Sequence, residues 1–366
     1  MATDASGPSP PTPLLRLRGL RTAQLPAAGT QGAELAPLLA AAVREAAPFI
    51  DSAAPKRGAR GPETRALWRK KPGAGGARGA EHRFLRFHPD SAAGVEVSVR
   101  AVGAAELGGG GGGEGGAHET WVCRRSVHED AARPGTASWG EFARGLRDEH
   151  AASERAFTPA CVGARRALAW DCAGVRVAET GPTTTTTTTT TWGRFTLELL
   201  EMRHRVGRPV LRDRTFPVLQ MTCVALAGGG EEAEARGDDE FLVVSIPVPD
   251  FGAASPASEL ARERGAQVAR YVSVERVRRI RGGAGGEGAE GAGGGARIEW
   301  LMATAGDAGG VLPAWLQSMA TPAVIWKDVP LFLAWVRRER EKKEDGAQGE
   351  EEGGREVRGQ EGVGAA

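Results

Sequence analysis

Apolar residues change their spacing repeatedly along the chain, and each change marks an element. In "ELAPLLAAAVREAAPFIDSA", Glu34 to Ala53, the residues Leu35, Leu38, Leu39, Val43 and Ile50 recur at helical spacing. A helix is predicted there, interrupted near Pro48 because proline withholds an N–H from the ladder. "EHRFLRFH" and "GVEVSVRAV" alternate apolar and polar positions as half-buried strands do, and "ETWVCRRSVHED" reads as a further strand. Helical spacing returns in "SWGEFARGLRDEHAASERAF". Ser138 stands before that run and Glu141 three residues later, the arrangement of a capping box.

From Trp192 the pattern is β. "WGRFTLELLEMRH", "RDRTFPVLQMTCVAL", "DEFLVVSIPVP", "ARYVSVERVRRIR" and "ARIEWLMATA" are separated by loop-like residues and by no helix, which predicts an antiparallel sheet. After the turn residues Asp307 to Gly310, Leu312, Trp315, Leu316, Met319 and Ala323 mark one helical face. Ile325, Val329, Phe332, Leu333 and Val336 continue it, while Trp326, Leu331 and Trp335 widen the apolar arc. A helix this apolar is buried on several sides. Pro322 and Pro330 predict a break within 321–330, with Asp328 restarting the helix and Pro330 accommodated in its first turn. The expected architecture is α+β: one curved antiparallel sheet with a long helix across it and an apolar hollow between them. The plainer alternative is that the helix only completes a filled core.

Composition narrows this picture. Glycine supplies 53 of 366 residues, much of it in tracts that cannot build a core. Residues 1–33 are expected to be disordered, as are insertions at about 103–117, 181–191, 227–238 and 282–296 and a charged tail over 341–366. That leaves one domain over 34–340. A net charge of +1 provides no global field to attract nucleic acid or anionic membranes. Cys123, Cys161, Cys172 and Cys223 form no C-x-x-C pair and have no histidine at ligand spacing, so no metal or redox site is expected. No secretory signal, spanning run or lipid anchor is expected from the sequence. A reduced, cytoplasmic chain, peripheral to membranes at most, is the expectation. "GAGGEG" at 283–288 matches G-x-G-x-x-G but leads into a strand, so it is no dinucleotide fingerprint and no cofactor is expected.

Candidate chemistry follows from strand alternation. Phe195, Leu197, Leu199 and Glu201 share one face, as do Tyr271, Ser273 and Glu275. With Trp300 and Met302 of the last strand and Trp315, Met319 and Trp326 of the closing helix, they form the candidate ligand-binding lining. Trp121, Trp170, Trp300 and Trp315 equally suit the role of core anchors. A carboxylate inside needs a partner, for which Arg203, Arg214 and Arg276 are available. The competing reading puts Glu201 and Glu275 in ordinary cross-strand ion pairs, since one register slip reverses every side chain. "ERVRRIR" could meet anionic headgroups but suits a solvated edge better. His128, His150 and His204 satisfy no catalytic spacing, and G-x-S-x-G, H-E-x-x-H and kinase signatures are missing, so no catalytic set is nominated.

The segments "WVCRRSVHED", "GTASWGEF", "EMRH", "RTFPVLQM", "YVSVERV" and "IEWLMATAGDAGGVLPAW" resemble, in order, a fungal family of START-like proteins of undefined function. The resemblance runs from about Glu119 to Val336 and includes the strand, Asp–Gly turn and Leu-Pro-x-Trp helix start of START-related lipid-transfer domains. It implies a helix-grip fold around a hydrophobic tunnel. Studied relatives carry sterols, phospholipids or ceramide, and more distant ones are cyclases or hydrolases. The implied function is non-catalytic binding of a sterol or other lipid, extended to transfer between membranes with transient contact at their surface. A cyclase- or hydrolase-type enzyme and a scaffold with a filled core are the alternatives.

Overall fold

The computed structural model describes residues 13–54, 67–73, 84–103, 106, 118–182, 187–205, 212–226, 239–280, 295–307 and 323–361. Helix α1 (Ala36–Ala53) runs through Pro48 without the expected interruption. Leu39, Val43, Ala46, Ala47 and Ile50 are buried on either side of the proline, and packing of that stripe outweighs one missing hydrogen bond.

The strands are β1 (Arg69–Lys70), β2 (Leu85–His88), β3 (Ser91–Val102), β4 (Glu119–Glu129), β5 (Cys161–Trp170), β6 (Val177–Pro182), β7 (Thr187–His204), β8 (Arg214–Leu226), β9 (Glu240–Pro247), β10 (Gln267–Val268), β11 (Arg270–Ile280) and β12 (Arg297–Asp307). They form one sheet in the order β1-β3-β4-β12-β11-β9-β8-β7-β5, with β2 beside β3, β6 beside β7 and the short β10 parallel to β8. Every other pairing is antiparallel. The threonine tract enters this sheet. Thr187–Thr191 belong to β7 and pair with β6, where a loop insertion was expected. Threonine is β-branched, and a run of it extends a strand as readily as it fills a loop.

Between β4 and β5 lie α2 (Trp139–Ala143), a π-helical turn (Arg144–Asp148) and α3 (His150–Phe157), where the spacing predicted one helix. The cap is as expected: the Ser138 N–H and hydroxyl both donate to Glu141, at 2.8 Å each. The wide turn brings Gly145 against the closing helix so closely that a Cβ there would stand 2.7 Å from Phe332 and 2.9 Å from Trp335. Glycine at 145 is what lets the two helical units touch.

After β9 comes a short α4 (Phe251–Ala254), and after β12 a 3₁₀ turn (Ile325–Lys327) leads into α5 (Asp328–Glu361), with Asp328 and Pro330 in its first turn as the sequence indicated. The helix continues through most of the tail read as disordered. Glu339–Lys342 and Arg337–Glu341 ion pairs at helical spacing support its exposed part. The N-terminal segment is likewise ordered from residue 13. Leu15 and Leu20 are buried, the Leu14 and Leu15 N–H groups donate to Glu45, and that of Leu17 donates to Glu119 at 2.7 Å. Its acceptors lie far away in sequence, so local composition does not reveal them.

Alternation along the strands divides the core between two faces. On one face, Leu39, Val43 and Ile50 of α1 belong to a cluster with Leu197, Leu199, Leu219, Val244, Val274 and Leu301. On the other, Phe332 and Trp335 of α5 join Trp139, Phe142, Phe157, Val243 and Trp300. Among the described residues, no helix is long and apolar enough to cross a membrane.

Candidate functional site

The antiparallel registers align Val97, Arg124, Met302, Glu275, Val243, Thr222 and Thr196 in a single row across seven strands, from β3 to β7. Directly opposed residues project to the same side of a sheet, and this row faces α5. Between its middle part and the start of α5 lies a cavity of about 490 Å³. Its walls include Leu146, Phe157, Val243, Trp300, Met302, Ile325 and Leu331. Its polar groups include Arg124, His150, Glu154, His204, Tyr271, Glu275, Lys327 and Asp328. A volume of this order suits one small organic ligand, for which pockets span roughly 300–1,000 Å³.

Arg124 is the centre of the polar end. It is 2 % exposed, its Nη2 donates to Glu275 Oε1 at 3.1 Å, and its Nε stands 3.6 Å from Asp328 Oδ2. Its guanidinium stacks on Trp300 at 3.9 Å, and the Trp300 indole N–H donates to the same Glu275 oxygen at 2.6 Å. Nε and Nη1 of Arg124 are buried without a hydrogen-bond acceptor in the protein. A guanidinium held flat by an aromatic ring and fixed by one carboxylate is a preorganised donor for a ligand oxygen.

A second polar group stands beside it. His150 Nε2 lies 3.4 Å from Glu154 Oε2, its Nδ1 meets the Leu146 carbonyl at 2.9 Å, and His204 Nε2 is 3.6 Å from Glu154 Oε1. Burial works against the His150 imidazolium, but Glu154 outweighs it and holds the pKa at about 9. The Glu154 carboxyl is correspondingly lowered: burial opposes this, and the two histidines more than offset it. Asp328 goes the other way. Burial, aided by the nearby Glu154 and Glu275 charges, lifts it to about 6 against the pull of Arg124. Burial also pushes the Tyr271 phenol up, so it stays protonated. Among the described residues no cluster of His, Cys, Asp and Glu could hold a metal ion.

The structure brings together four of the residues expected from the sequence: Tyr271, Glu275, Trp300 and Met302 all line the cavity. Phe195, Leu197 and Leu199 do not. They lie in the cluster packed on α1, on the opposite face, because the β7–β8 register turns Thr196 and its phase toward α5. Glu201 is no ligand group either. It is fully buried and accepts the Ser258 hydroxyl at 2.6 Å and the N–H groups of Glu259, Leu260 and Ala261. Burial would raise its pKa, but these four donors together bring it below the usual value. Of the proposed partners, Arg203 and Arg214 do not reach it; Arg165 does, at 3.4 Å. Arg276 pairs instead with Asp51 at the end of α1 and with Glu299. Trp326 packs beside the cavity against the cluster of Val97, Val122 and Ile325, its indole N–H donating to the Ala323 carbonyl at 3.0 Å. Trp315 and Met319 lie outside the described residues.

Sequence reasoning missed Arg124, the His150–Glu154 pair and the cavity role of Asp328. One signal was present: Arg124, Ser126 and His128 occupy alternate positions of β4 and so share a face.

An antiparallel sheet with a C-terminal helix across one face, and a cavity between them, is an α+β helix-grip architecture. The model of the family described as "Protein of unknown function (DUF3074)" matches residues 121–336, and the chain belongs to that family. No curated protein matches it. Among solved structures it is similar to human STARD10, at 10 % identity and TM-score 0.41, over 82 % of each chain. It is also similar to the human StarD13 (DLC2) lipid transfer and protein localization domain, at 12 % identity and TM-score 0.36. That match covers 66 % of this chain and 84 % of the other. Similarity at this level does not bear on ligand or activity.

Proposed function

We propose that this protein binds one amphipathic hydrophobic molecule, a sterol or other lipid, without chemically changing it. The apolar body lies between Val243, Met302, Ile325 and Leu331, and its polar end accepts a hydrogen bond from Arg124. The observation that carries this reading is a cavity of about 490 Å³ with an unsatisfied buried donor, Nη1 of Arg124, on a residue that lines it. Apolar burial contributes roughly 25 cal/mol per Å². A buried donor without an acceptor costs on the order of 1–3 kcal/mol, which a ligand oxygen recovers. Binding takes place in the domain 34–340 together with the ordered segment that precedes it. Exchange of the ligand with membranes and a cytoplasmic location are the natural extensions of this reading.

The test is native mass spectrometry of the folded protein after incubation with a total lipid extract. A stoichiometric adduct, lost in a Val243→Trp variant that fills the cavity, supports the reading. A folded protein that takes up nothing overturns it.

One observation favours a second reading, an enzyme of cyclase or hydrolase type. The His150–Glu154 pair and an Asp328 carboxyl near pH 6 converge on the same cavity, and such groups suit general acid–base catalysis. Recovery of an altered ligand from the wild type, and of the unaltered one from Asp328→Asn, would favour it.

A further inference from the structure

A second depression lies at the β1 edge of the sheet, on the same face as the cavity. It has a volume of about 730 Å³ and is lined by Arg69, Lys71, Arg86 and His118 with Leu67, Val99 and Ala323 among its apolar members. No carboxylate lines it. Lys70, between Arg69 and Lys71, shows the contrast: it pairs with Glu96 at 2.9 Å, whereas Arg69, Lys71 and His118 have no ion pair among the described residues. Arg86 donates to the Pro72 carbonyl at 3.0 Å, and its Nη1 is buried with no acceptor. Its pKa is lowered by burial with no anion to offset it. Unpaired cations grouped around one partly desolvated guanidinium attract an external anion.

The position of this groove suggests the source of that anion. Among the described residues the exposed large hydrophobic side chains are Leu67 and Val324, at 44 % and 52 % exposure. Leu67 lines the groove, and Val324 lines the cavity mouth, one residue from Ala323 of the groove. Unpaired cations flanked by two exposed apolar residues, beside the opening of an apolar cavity, match the layered chemistry of a membrane surface.

We propose that the groove formed by Arg69, Lys71, Arg86 and His118 docks the protein on an anionic lipid surface, with Leu67 and Val324 entering the interface. Docking there sets the cavity mouth against the bilayer. The headgroup that fits is a phosphate-bearing anion, because several donors converge where no protein acid competes.

The experiment is co-sedimentation of the full chain with phosphatidylcholine vesicles, alone and with phosphatidylserine or a phosphoinositide added, at two salt concentrations. Binding is expected only to the anionic vesicles, weakening as salt rises. Arg69→Gln/Lys71→Gln should weaken it by roughly 30-fold, about fivefold per charge lost, while the paired-lysine control Lys70→Gln changes little. Both charges are at or near the surface, so the double variant should retain the wild-type unfolding midpoint. Leu67→Ser/Val324→Ser should weaken vesicle binding but leave binding of soluble inositol hexakisphosphate unchanged. Equal binding to neutral and anionic vesicles, or wild-type binding by the double charge variant, overturns the proposal. Binding of the soluble polyanion with none to vesicles overturns it as well, since the groove would then be a phosphate site without a membrane role. None of these outcomes depends on whether the cavity holds a ligand.

Discussion

Arg124 of β4 and Glu275 of β11 meet at 3.1 Å across the intervening strand β12, with the guanidinium over the ring of Trp300, which donates to the same carboxylate oxygen. The pair is buried on both sides, so neither charge has water to fall back on. Removing one partner from such a pair typically costs about 3–5 kcal/mol, whereas replacing both with apolar groups is often close to neutral. Glu275→Ala should therefore destabilise the fold by roughly 3 kcal/mol in urea unfolding, and Arg124→Met/Glu275→Leu should recover most of that loss. The double variant should still fail to bind ligand. Recovery of binding along with stability would remove Arg124 from the site.

The two faces of the sheet make opposite predictions. Leu199→Ala opens a hole under α1 and should cost about 2–5 kcal/mol while leaving the ligand affinity of the folded protein unchanged. Val243→Trp, on the α5 face, should abolish ligand uptake at a smaller cost in stability. Unfolding curves paired with adduct measurements on both variants decide this; reduced affinity in Leu199→Ala would mean the cavity extends to the wrong face.

The cavity should make stability fall as pH rises, in two stages. Asp328 has its folded pKa raised to about 6 from an ordinary 3.8, so its protonated form favours the folded state and stability declines between about pH 4 and 6. His150 has its pKa raised to about 9 from 6.5, so its contribution is full below pH 6.5 and is lost as pH climbs through 9. Urea midpoints measured from pH 4 to 9.5 should lose the first stage in Asp328→Asn and the second in His150→Gln. An unchanged wild-type profile in either variant would refute that assignment.

Glu201 anchors a loop with no ligand involved. Glu201→Gln retains an oxygen acceptor but gives up the charge that gathers four donors, and hydrogen bonds to charged groups contribute about 1.5–3 kcal/mol each. Amide exchange at Glu259, Leu260 and Ala261 should accelerate in this variant well before the rest of the sheet. Uniform protection across the chain would show that the loop is held by other contacts.

Hydrophobic period, with caps and prolines, was enough to identify the major elements: α1, the long β run from Trp192, the capped helix at Ser138 and the restart at Asp328. Each is a local matter, since spacing, caps and prolines act over a few residues. The family was legible too, because the motifs between Trp121 and Val336 keep their order. Order in weak segments escaped this reading where a distant partner supplied it. The 13–33 segment relies on Glu45 and Glu119, and the tail helix on ion pairs that composition reads as solvated charge.

The site divides along the same line. Tyr271, Glu275, Trp300 and Met302 were recognisable as neighbours in phase, whereas Phe195, Leu197, Leu199 and Glu201 were assigned to the wrong face. Within one strand, alternation says which residues share a side; which side meets the closing helix depends on register with every strand between. Pairing from β3 to β7 placed Arg124 in the same row as Glu275, and only helix packing set His150, Glu154 and Asp328 opposite them. Sequence by itself determined the elements and the family, because those depend on short-range chemistry. The tertiary structure decided the cavity and its charges, because residues 151 positions apart become partners only when the sheet is assembled.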